Sequence, residues 1–594
     1  MQVLLLSSFL LAGLSQALWP EPEQYTHGNE VVWLSPDVHF AYHPRGSSGN
    51  ATVSKRLQYV VRSELQRNSS HSPAAPVEDI VKKAIQRTTK QLQTMKFVPW
   101  KFHPRNRAFE PSPQASKRII REVVISEQSL GGNRSHVRDF IHGDESYQIK
   151  ITGDGSASIS TKSPIGTLRA LQTFAQLFYA HSSGSGKYSP YAPIAISDKP
   201  KWPHRGLNLD IARNPITPGD VKRTIDAMES AKLNRLHIHA TDTQSWPLEI
   251  PSVPALAAKG AYHSSLIWSA KDLQEVQQYA TERGVSAFLE IDMPGHTGSI
   301  GYAFPELVVA SGENLWEKYA QQPPSGQIKL NSSAARELVD KVMDDILPRV
   351  SPFTKYFHIG GDEFNLESYM LEKSISSSQR TVLKPLVQSL ITRVCEKLAK
   401  AGLIPIVWEE LVVDWDLSFP PQSSESGNNT VIVQAWRNSR AIRRVLDRGY
   451  RTLFGTSDFW YLDCGVGIYL NPRNGSEIIR PPYTDWCSPT KNWRHMYMHD
   501  PLLGIQEKLQ PLIEGGETHM WSENVDPVNM DQLIWPRAAA AAEVLWKGPR
   551  TRFDIKGASF RLGEWRERAV VDRKIGAGLV QMTYCLMQEG SCER

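Results

Sequence analysis

The stretch "GLNLDIARNPITPGDVKRTIDAMESAKLNRLHIHATD", residues 206–242, sets the architecture. A β run, GLNLDIA, passes into a helical pattern, DVKRTIDAMESAKL, and a second β run, RLHIHA, follows. The same unit recurs downstream. "SAFLEID" precedes "AARELVDKVMDDIL", "YFHIGG" precedes "TVLKPLVQSLITRVCEKLAKAG", and "TVIVQAW" precedes "SRAIRRVLDRG". With "IPIVWEE", "RTLFGTSD" and "THMWSE" the β runs number eight, most with a helix behind them. Eight such units in roughly 350 residues fit a closed (β/α)8 TIM barrel better than an open doubly wound sheet. No glycine-rich phosphate motif follows the first run, which speaks against a dinucleotide fold. The barrel is expected over 199–594, tail included.

Upstream, residues 119–198 read as a small α/β domain. "RIIREVVISE" and "SYQIKIT" are its strands, and "SPIGTLRALQTFAQLF" is an amphipathic helix with apolar residues at three- and four-residue steps. Residues 106–118 form a proline-bearing basic linker suited to proteolytic nicking. Residues 19–105 are polar, with one helical stretch, "VEDIVKKAIQRTTKQLQTM". Between Leu18 and Arg118 stand 15 Lys/Arg and 8 Asp/Glu, a net of +7 in a chain of +5, so the remainder is at −2. A basic pro-segment that docks on an acidic body and is later cut at the linker is the reading preferred over nucleic-acid binding.

The first residues, "MQVLLLSSFLLAGLSQA", have the apolar core and small-residue exit of a secretory signal peptide over 1–18, cut after Ala17 or Leu18. Sequons at Asn50, Asn68, Asn133, Asn331, Asn428 and Asn474 agree with a secreted glycoprotein. After the N-terminus no run of about 18 apolar residues occurs, so no membrane span is expected. Of the five cysteines, spacing pairs Cys464 with Cys487 and Cys585 with Cys592, leaving Cys395 free in a helical pattern. No Cys/His cluster has structural zinc spacing.

Barrel sites are built at the C-terminal ends of the strands. Strand one begins with Arg205 and leads to Asp210; strand two runs to Asp242, and strand three to Asp292 and His296. Strand four ends in the adjacent pair Asp362-Glu363, strand five in Trp408-Glu409-Glu410, and strand six in Trp436. Tyr461 and Asp463 follow strand seven; Trp521 and Glu523 follow strand eight. Carboxylates and indoles on one rim suit a sugar, whose apolar C–H face covers an aromatic ring while charged groups grip its hydroxyls. Neighbouring carboxyls raise each other's proton affinity, as a general acid requires. His237 and His239 share a strand face, but no third metal ligand is evident, and packed or hydrogen-bonded histidines are expected.

The motifs "HRGLNLDIAR", "EIDMPGHT", "HIGGDE", "DFWYLD" and "MWSENVD" resemble the β-N-acetylhexosaminidases of glycoside hydrolase family 20. "TDTQSWPLEI" and the long N-terminal segment look most like the secreted fungal members. The resemblance spans both domains from residue 119 onward. It implies an exo-acting, retaining hydrolase of terminal β-linked GlcNAc or GalNAc, on chitobiose, chitooligosaccharides and glycans, in which the substrate's own 2-acetamido oxygen is the nucleophile. Glu363 would be the general acid/base, Asp362 would accept from the acetamido N–H, and Tyr461 would donate to its oxygen. Trp408, Trp436 and Trp521 would wall the pocket, and Arg205, Asp463 and Glu523 would hold the outer hydroxyls. Asp242 and His296 would orient Glu363. No metal or organic cofactor is implied. A homodimer is the expected assembly, and extracellular space, vacuole, lysosome or cell wall the expected location. The resemblance has two departures: Ile238 stands where many relatives have Trp, and "FNLESYM" lacks a cysteine that some carry.

An endo-acting chitinase and a sugar-binding protein without activity are the alternatives. Product size separates the first; the second requires a broken site, and every matched position is intact.

Overall fold

The computed structural model describes residues 18–44, 76–128, 137–419, 431–473, 479–588 and 590–593. The signal-peptide stretch up to Ala17 and the sequons at Asn50, Asn68, Asn133, Asn428 and Asn474 lie outside them; Asn331 lies within and is exposed.

Eight parallel strands close into a barrel: His204–Asp210, Arg235–Thr241, Ser286–Ile291, Tyr356–His358, Ile404–Trp408, Ile432–Ala435, Arg451–Phe454 and Ile513–Met520. The eighth strand pairs with the first from Gly515↔His204 to Met520↔Leu209. The expected barrel is therefore present, its strands in the order read from the sequence. Helix starts are fixed locally. Thr217 and Asp220 form a capping box at Pro218–Ser230, with proline at the first turn, and Ser269 and Asp272 form another at Ala270–Thr281. Along the third strand Phe288, Glu290 and, just beyond, Asp292 alternate onto one face. Phe288 joins Tyr356, Ile406, Ile432 and Leu453 in an apolar cluster of its own, while Glu290 is buried among histidines.

The small domain is a six-stranded sheet whose order is Gln24–His43, Ile119–Glu127, Ala157–Thr161, Tyr147–Ile151, Lys187–Asp198, Tyr179–Ala180. This corrects the expected boundary at residue 119. The strand Gln24–His43 runs parallel to Ile119–Glu127 and antiparallel to Lys187–Asp198, so it is hydrogen-bonded along both edges. The helix Val77–Thr94 packs on the helix Pro164–Gln176. The described part of the expected pro-segment is thus a piece of the domain's own core: Val32, Leu34, Ile80 and Val81 are buried with Ile120, Phe174 and Ile194. The linker lies against the sheet as well. His103 stacks on Phe109 at 4.4 Å, Glu110 accepts from Ser182 N at 2.7 Å, and Lys117 sits over Trp33.

The helix Val77–Thr94 also meets acidic partners on the barrel. Lys83 pairs with Glu282 at 2.6 Å and Arg87 with Glu229 at 3.2 Å.

Arg205 locks the two domains together. Its guanidinium is fully buried and donates to both oxygens of Glu145 of the small domain, at 3.0 and 2.6 Å, and Arg169 holds the same carboxylate at 2.6 Å. The two arginines hold the Glu145 carboxyl down at about 2, against the cost of burial. A second lock is Asp198, which accepts from Lys232 at 3.0 Å and from the Trp546 indole at 2.9 Å. Removing one member of a buried, hydrogen-bonded charge cluster typically costs about 3–5 kcal/mol, because the partners stay behind uncompensated. Glu145→Ala is expected to lose stability on that scale in urea unfolding; a loss below about 1 kcal/mol would show that the cluster does not hold the domains.

Candidate active site

The fourth strand delivers the acidic pair by an abrupt turn. Gly360 and Gly361 have φ of 77° and 98°, and a Cβ on Gly360 would lie 1.7 Å from Asp292 Oδ1. Only glycine allows this approach. Asp292 Oδ1 accepts from Gly361 N at 2.7 Å, so the third strand's carboxylate pins the turn that places Asp362 and Glu363. Glu363 itself has φ 48° and His296 has φ 46°, two non-glycine residues in the left-handed region. Such strain is of order 1–3 kcal/mol each and collects at working sites.

The pair divides by depth. The Glu363 side chain is 29% exposed and the Asp362 side chain 14%. His296 faces both through Nε2, 3.6 Å from Glu363 Oε2 and 3.8 Å from Asp362 Oδ2, and its Nδ1 lies 3.0 Å from Asp242 Oδ1. Burial opposes charge on His296, yet Asp242 and Asp362 together hold its pKa well above the usual imidazole range. Burial pushes the Asp362 carboxyl well up, with Asp292 adding to it, and burial pushes Asp292 up to about 7. Two neighbouring carboxyls buried together do not ionise independently. Asp362 Oδ1 is buried with no hydrogen-bond partner among the described residues.

An aromatic wall continues the site. Trp408 lies 6.0 Å from Trp521, Trp521 lies 6.3 Å from Tyr461, and Tyr461 stacks on Trp436 at 6.4 Å between centroids. The Trp436 indole donates to Glu410 at 2.9 Å. Tyr461 bridges to His519 of the eighth strand, and the Cys464–Cys487 disulfide fastens the loop that carries Tyr461 and Asp463. The second expected disulfide, Cys585–Cys592, is also formed, and Cys395 is buried and unpaired.

Thus the structure gathers Asp362, Glu363, His296, Asp242, Tyr461, Trp408, Trp436, Trp521, Asp463 and Glu523. It does not bring Arg205 there. Arg205 is the second residue of a seven-residue strand, roughly 16 Å of strand rise below Asp210. The arginine at the rim is Arg213, the last residue of the same "HRGLNLDIAR" motif. It donates to Asp210 at 3.1 Å, is ion-paired with Asp242 at 2.9 Å, lies 3.5 Å from Glu523, and covers the Trp521 ring. Its place beyond the strand end was the signal that separates it from Arg205. Asp292 and Arg213 are the residues the sequence reading passed over as functional. Glu523 and Asp463 influence one another: burial and the neighbouring Glu523 push Asp463 well up, and burial raises Glu523 against the pull of Arg213. Asp463 Oδ1 is a second buried acceptor with no partner among the described residues.

A closed parallel barrel with paired carboxyls, aromatic walls and unsatisfied buried acceptors at its C-terminal rim defines a hydrolase of sugar linkages. Residues 202–549 match the glycosyl hydrolase family 20 catalytic domain, and residues 18–177 match the family described as beta-acetyl hexosaminidase like. A beta-hexosaminidase of Arthroderma benhamiae is 56% identical, with 98% of each chain covered. A chitooligosaccharidolytic beta-N-acetylglucosaminidase of Bombyx mori is 31% identical over 81% of this chain and 79% of its own. In fold, the exo beta-N-acetylglucosaminidase of Vibrio harveyi superposes with a TM-score of 0.68 at 20% identity, over 96% of this chain and 79% of that one. The chain belongs to glycosyl hydrolase family 20.

The Asp292–Asp362 contact has a measurable consequence. The negative charge of Asp292 is one of the forces raising Asp362, so Asp292→Asn, which keeps an acceptor for Gly361 N–H, lowers the Asp362 pKa. A reaction needing ionised Asp362 then survives to lower pH. The acidic limb of the kcat/KM profile should move down; an unmoved or raised limb would contradict the coupling.

Proposed function

We propose that this chain is an exo-acting β-N-acetylhexosaminidase that removes terminal, non-reducing β-linked GlcNAc or GalNAc from chitooligosaccharides and glycans with retained configuration. The observation that carries the reading is Asp362: a deep carboxylate with one oxygen buried and without a hydrogen-bond partner among the described residues, beside the more exposed Glu363 and next to an aromatic wall.

The substrate's acetamide N–H donates to Asp362 Oδ1, and the Tyr461 hydroxyl donates to the acetamide oxygen. That oxygen then lies against the anomeric carbon, a gain in positioning rather than in bond-making strength. As it forms the new C–O bond, Glu363 gives its proton to the departing glycosidic oxygen, and the ring carries the positive charge as an oxazolinium. Asp362, ionised once it faces a donor and a cation, stabilises that charge. Water then opens the oxazolinium at the anomeric carbon while Glu363 takes back a proton, so configuration is retained. Trp408, Trp436 and Trp521 wall the acetamide and the ring. Asp463, Glu523 and Arg213 hold the outer hydroxyls. Asp242 and His296 set the direction of Glu363.

Glu363→Gln should lower kcat/KM on the p-nitrophenyl β-GlcNAc glycoside by at least about 10²-fold, the scale of one general acid. Asp362→Asn should hurt N-acetyl substrates most. Equal hydrolysis of the corresponding β-glucoside, which has a hydroxyl in place of the acetamide, would defeat the self-nucleophile mechanism.

The same reading makes the chain a secreted glycoprotein, modified at the sequons including exposed Asn331, and a homodimer by family resemblance. Support for a leader cut after Ala17 rather than Leu18 comes from packing: Leu18 and Trp19 are buried, and Trp19 donates its backbone N–H to Gln176 at 2.9 Å and its indole to Ala539 O at 2.9 Å. Arg105 and Arg107 are exposed and suit the second cut. N-terminal sequencing of secreted material should read Leu-Trp-Pro-Glu and a second start within 103–118; a single start at residue 18 or 19 refutes the second cut. No helix among the described residues is long and apolar enough to cross a membrane.

A further inference from the structure

Glu290 stands on the third strand with its carboxylate wholly buried inside the barrel, below the rim and away from the reacting atoms. Its two oxygens serve different parts of the site. Oε1 accepts from the Trp408 indole N–H at 2.7 Å. Oε2 accepts from His239 Nδ1 at 2.5 Å and from His237 Nε2 at 3.0 Å. His239 in turn gives its Nε2–H to Asp242 Oδ2 at 2.7 Å, and Asp242 Oδ1 receives His296 Nδ1 at 3.0 Å, whose other nitrogen faces Glu363. One rigid carboxylate therefore joins a wall of the sugar pocket to the chain of groups behind the proton donor.

We propose that Glu290 is the positioning residue that couples the two: through one oxygen it sets the plane of Trp408, and through the other it orients His239, and with it Asp242 and His296, behind Glu363. This rests on the roles given above to Trp408 and Glu363. The charges around it are consistent. His239 donates from both nitrogens and is held charged up to about pH 10, by Glu290 foremost and then Asp242, against burial. His237, between Glu290 and Glu517, is raised to about 8. The other groups facing Glu290 are His358, 3.1 Å away, whose pKa burial lowers against the pull of Glu290, and the like charge of Asp292; across the barrel stand Glu517 and His519. Asp242 is further held by Arg213 at 2.9 Å, and His296 is faced by Asp242, Asp362 and Glu363. A carboxylate that served barrel packing alone would change stability without linking KM to kcat.

The test is a set of double-mutant cycles on the p-nitrophenyl β-GlcNAc glycoside. Trp408→Phe, which deletes the indole N–H, is expected to raise KM several-fold with a smaller change in kcat. His239→Gln is expected to lower kcat about tenfold and to displace the basic limb of the kcat/KM profile. Glu290→Gln, isosteric but unable to accept from both sides, should do both. Adding Trp408→Phe or His239→Gln to it should then cost less than half of what each costs alone. Full multiplicativity in both cycles, or kcat and KM within twofold of wild type in Glu290→Gln, overturns the proposal. Should Glu290→Gln not accumulate as folded protein, the Trp408→Phe/His239→Gln pair decides. Those residues share Glu290 as partner, so their effects should depart from the product by threefold or more; a simple product overturns the coupling. If Glu363→Gln and Asp362→Asn also keep full activity, the underlying assignment has failed instead.

Discussion

The close approach of Asp292 to the Gly360–Gly361 turn is the constraint on which the site depends. A side chain at position 360 would occupy the space of the Asp292 carboxylate, and one at 361 would meet Leu411 at 2.5 Å. Without that approach the fourth strand could not turn so sharply after three residues, and Asp362 and Glu363 would not face different depths of the same cleft. The turn also decides the electrostatics. It presses Asp292 against Asp362, so that neither ionises independently, and it leaves Glu363 nearer solvent beside His296. Covalent geometry and proton affinity thus come from one packing event.

Behind that turn the barrel interior is organised by charge rather than by apolar layers alone. Glu290 and Glu517 are buried carboxylates held well below the usual range, with His237 bridging them and His204 and Gln434 completing the shell of Glu517. Buried ions are costly unless partnered, and here each oxygen of Glu290 and of Glu517 has a partner, which holds both carboxylates rigid. The rigidity suits a reaction in which the protein forms no bond to the sugar. If the acetamide attacks its own anomeric carbon, the protein contributes placement and a proton, and placement is only as good as the side chains that hold Trp408, Tyr461 and His296.

Much of this was legible in the sequence, for physical reasons that also explain the exceptions. Buried parallel strands are continuous apolar runs, so the βα rhythm and the strand ends stood out, and with them Asp362, Glu363, Trp408, Tyr461 and Trp521. Cysteine spacing gave both disulfides. Arg205 misled because a motif names residue types and not strand depth: two arginines frame "HRGLNLDIAR", one at each end of the strand, and only Arg213 reaches the rim. The strand Gln24–His43 was missed because much of it is exposed, and because it lies in a longer stretch whose net basic charge resembled a detachable segment. Glu290 was written into "EIDMPGHT" and still unreadable, since its importance lies in partners on the second and fifth strands.

The N-terminal segment reconciles two readings that looked opposed. As a polar, basic stretch it invited the picture of an appendage cut off at the linker. In the fold it contributes a strand bonded on both edges and a helix in the small domain's core, with ion pairs onto the barrel. A peptide bond broken between Arg105 and Lys117 would remove none of those contacts. The non-covalent interface would remain: two strand ladders, buried Val32, Ile80 and Val81, and Trp19 seated between Gln176 of the small domain and Ala539 of the barrel. Cutting at the linker and permanent association are therefore compatible, because the segment is held by its hydrogen-bonded edges and apolar core rather than by its connection to residue 118.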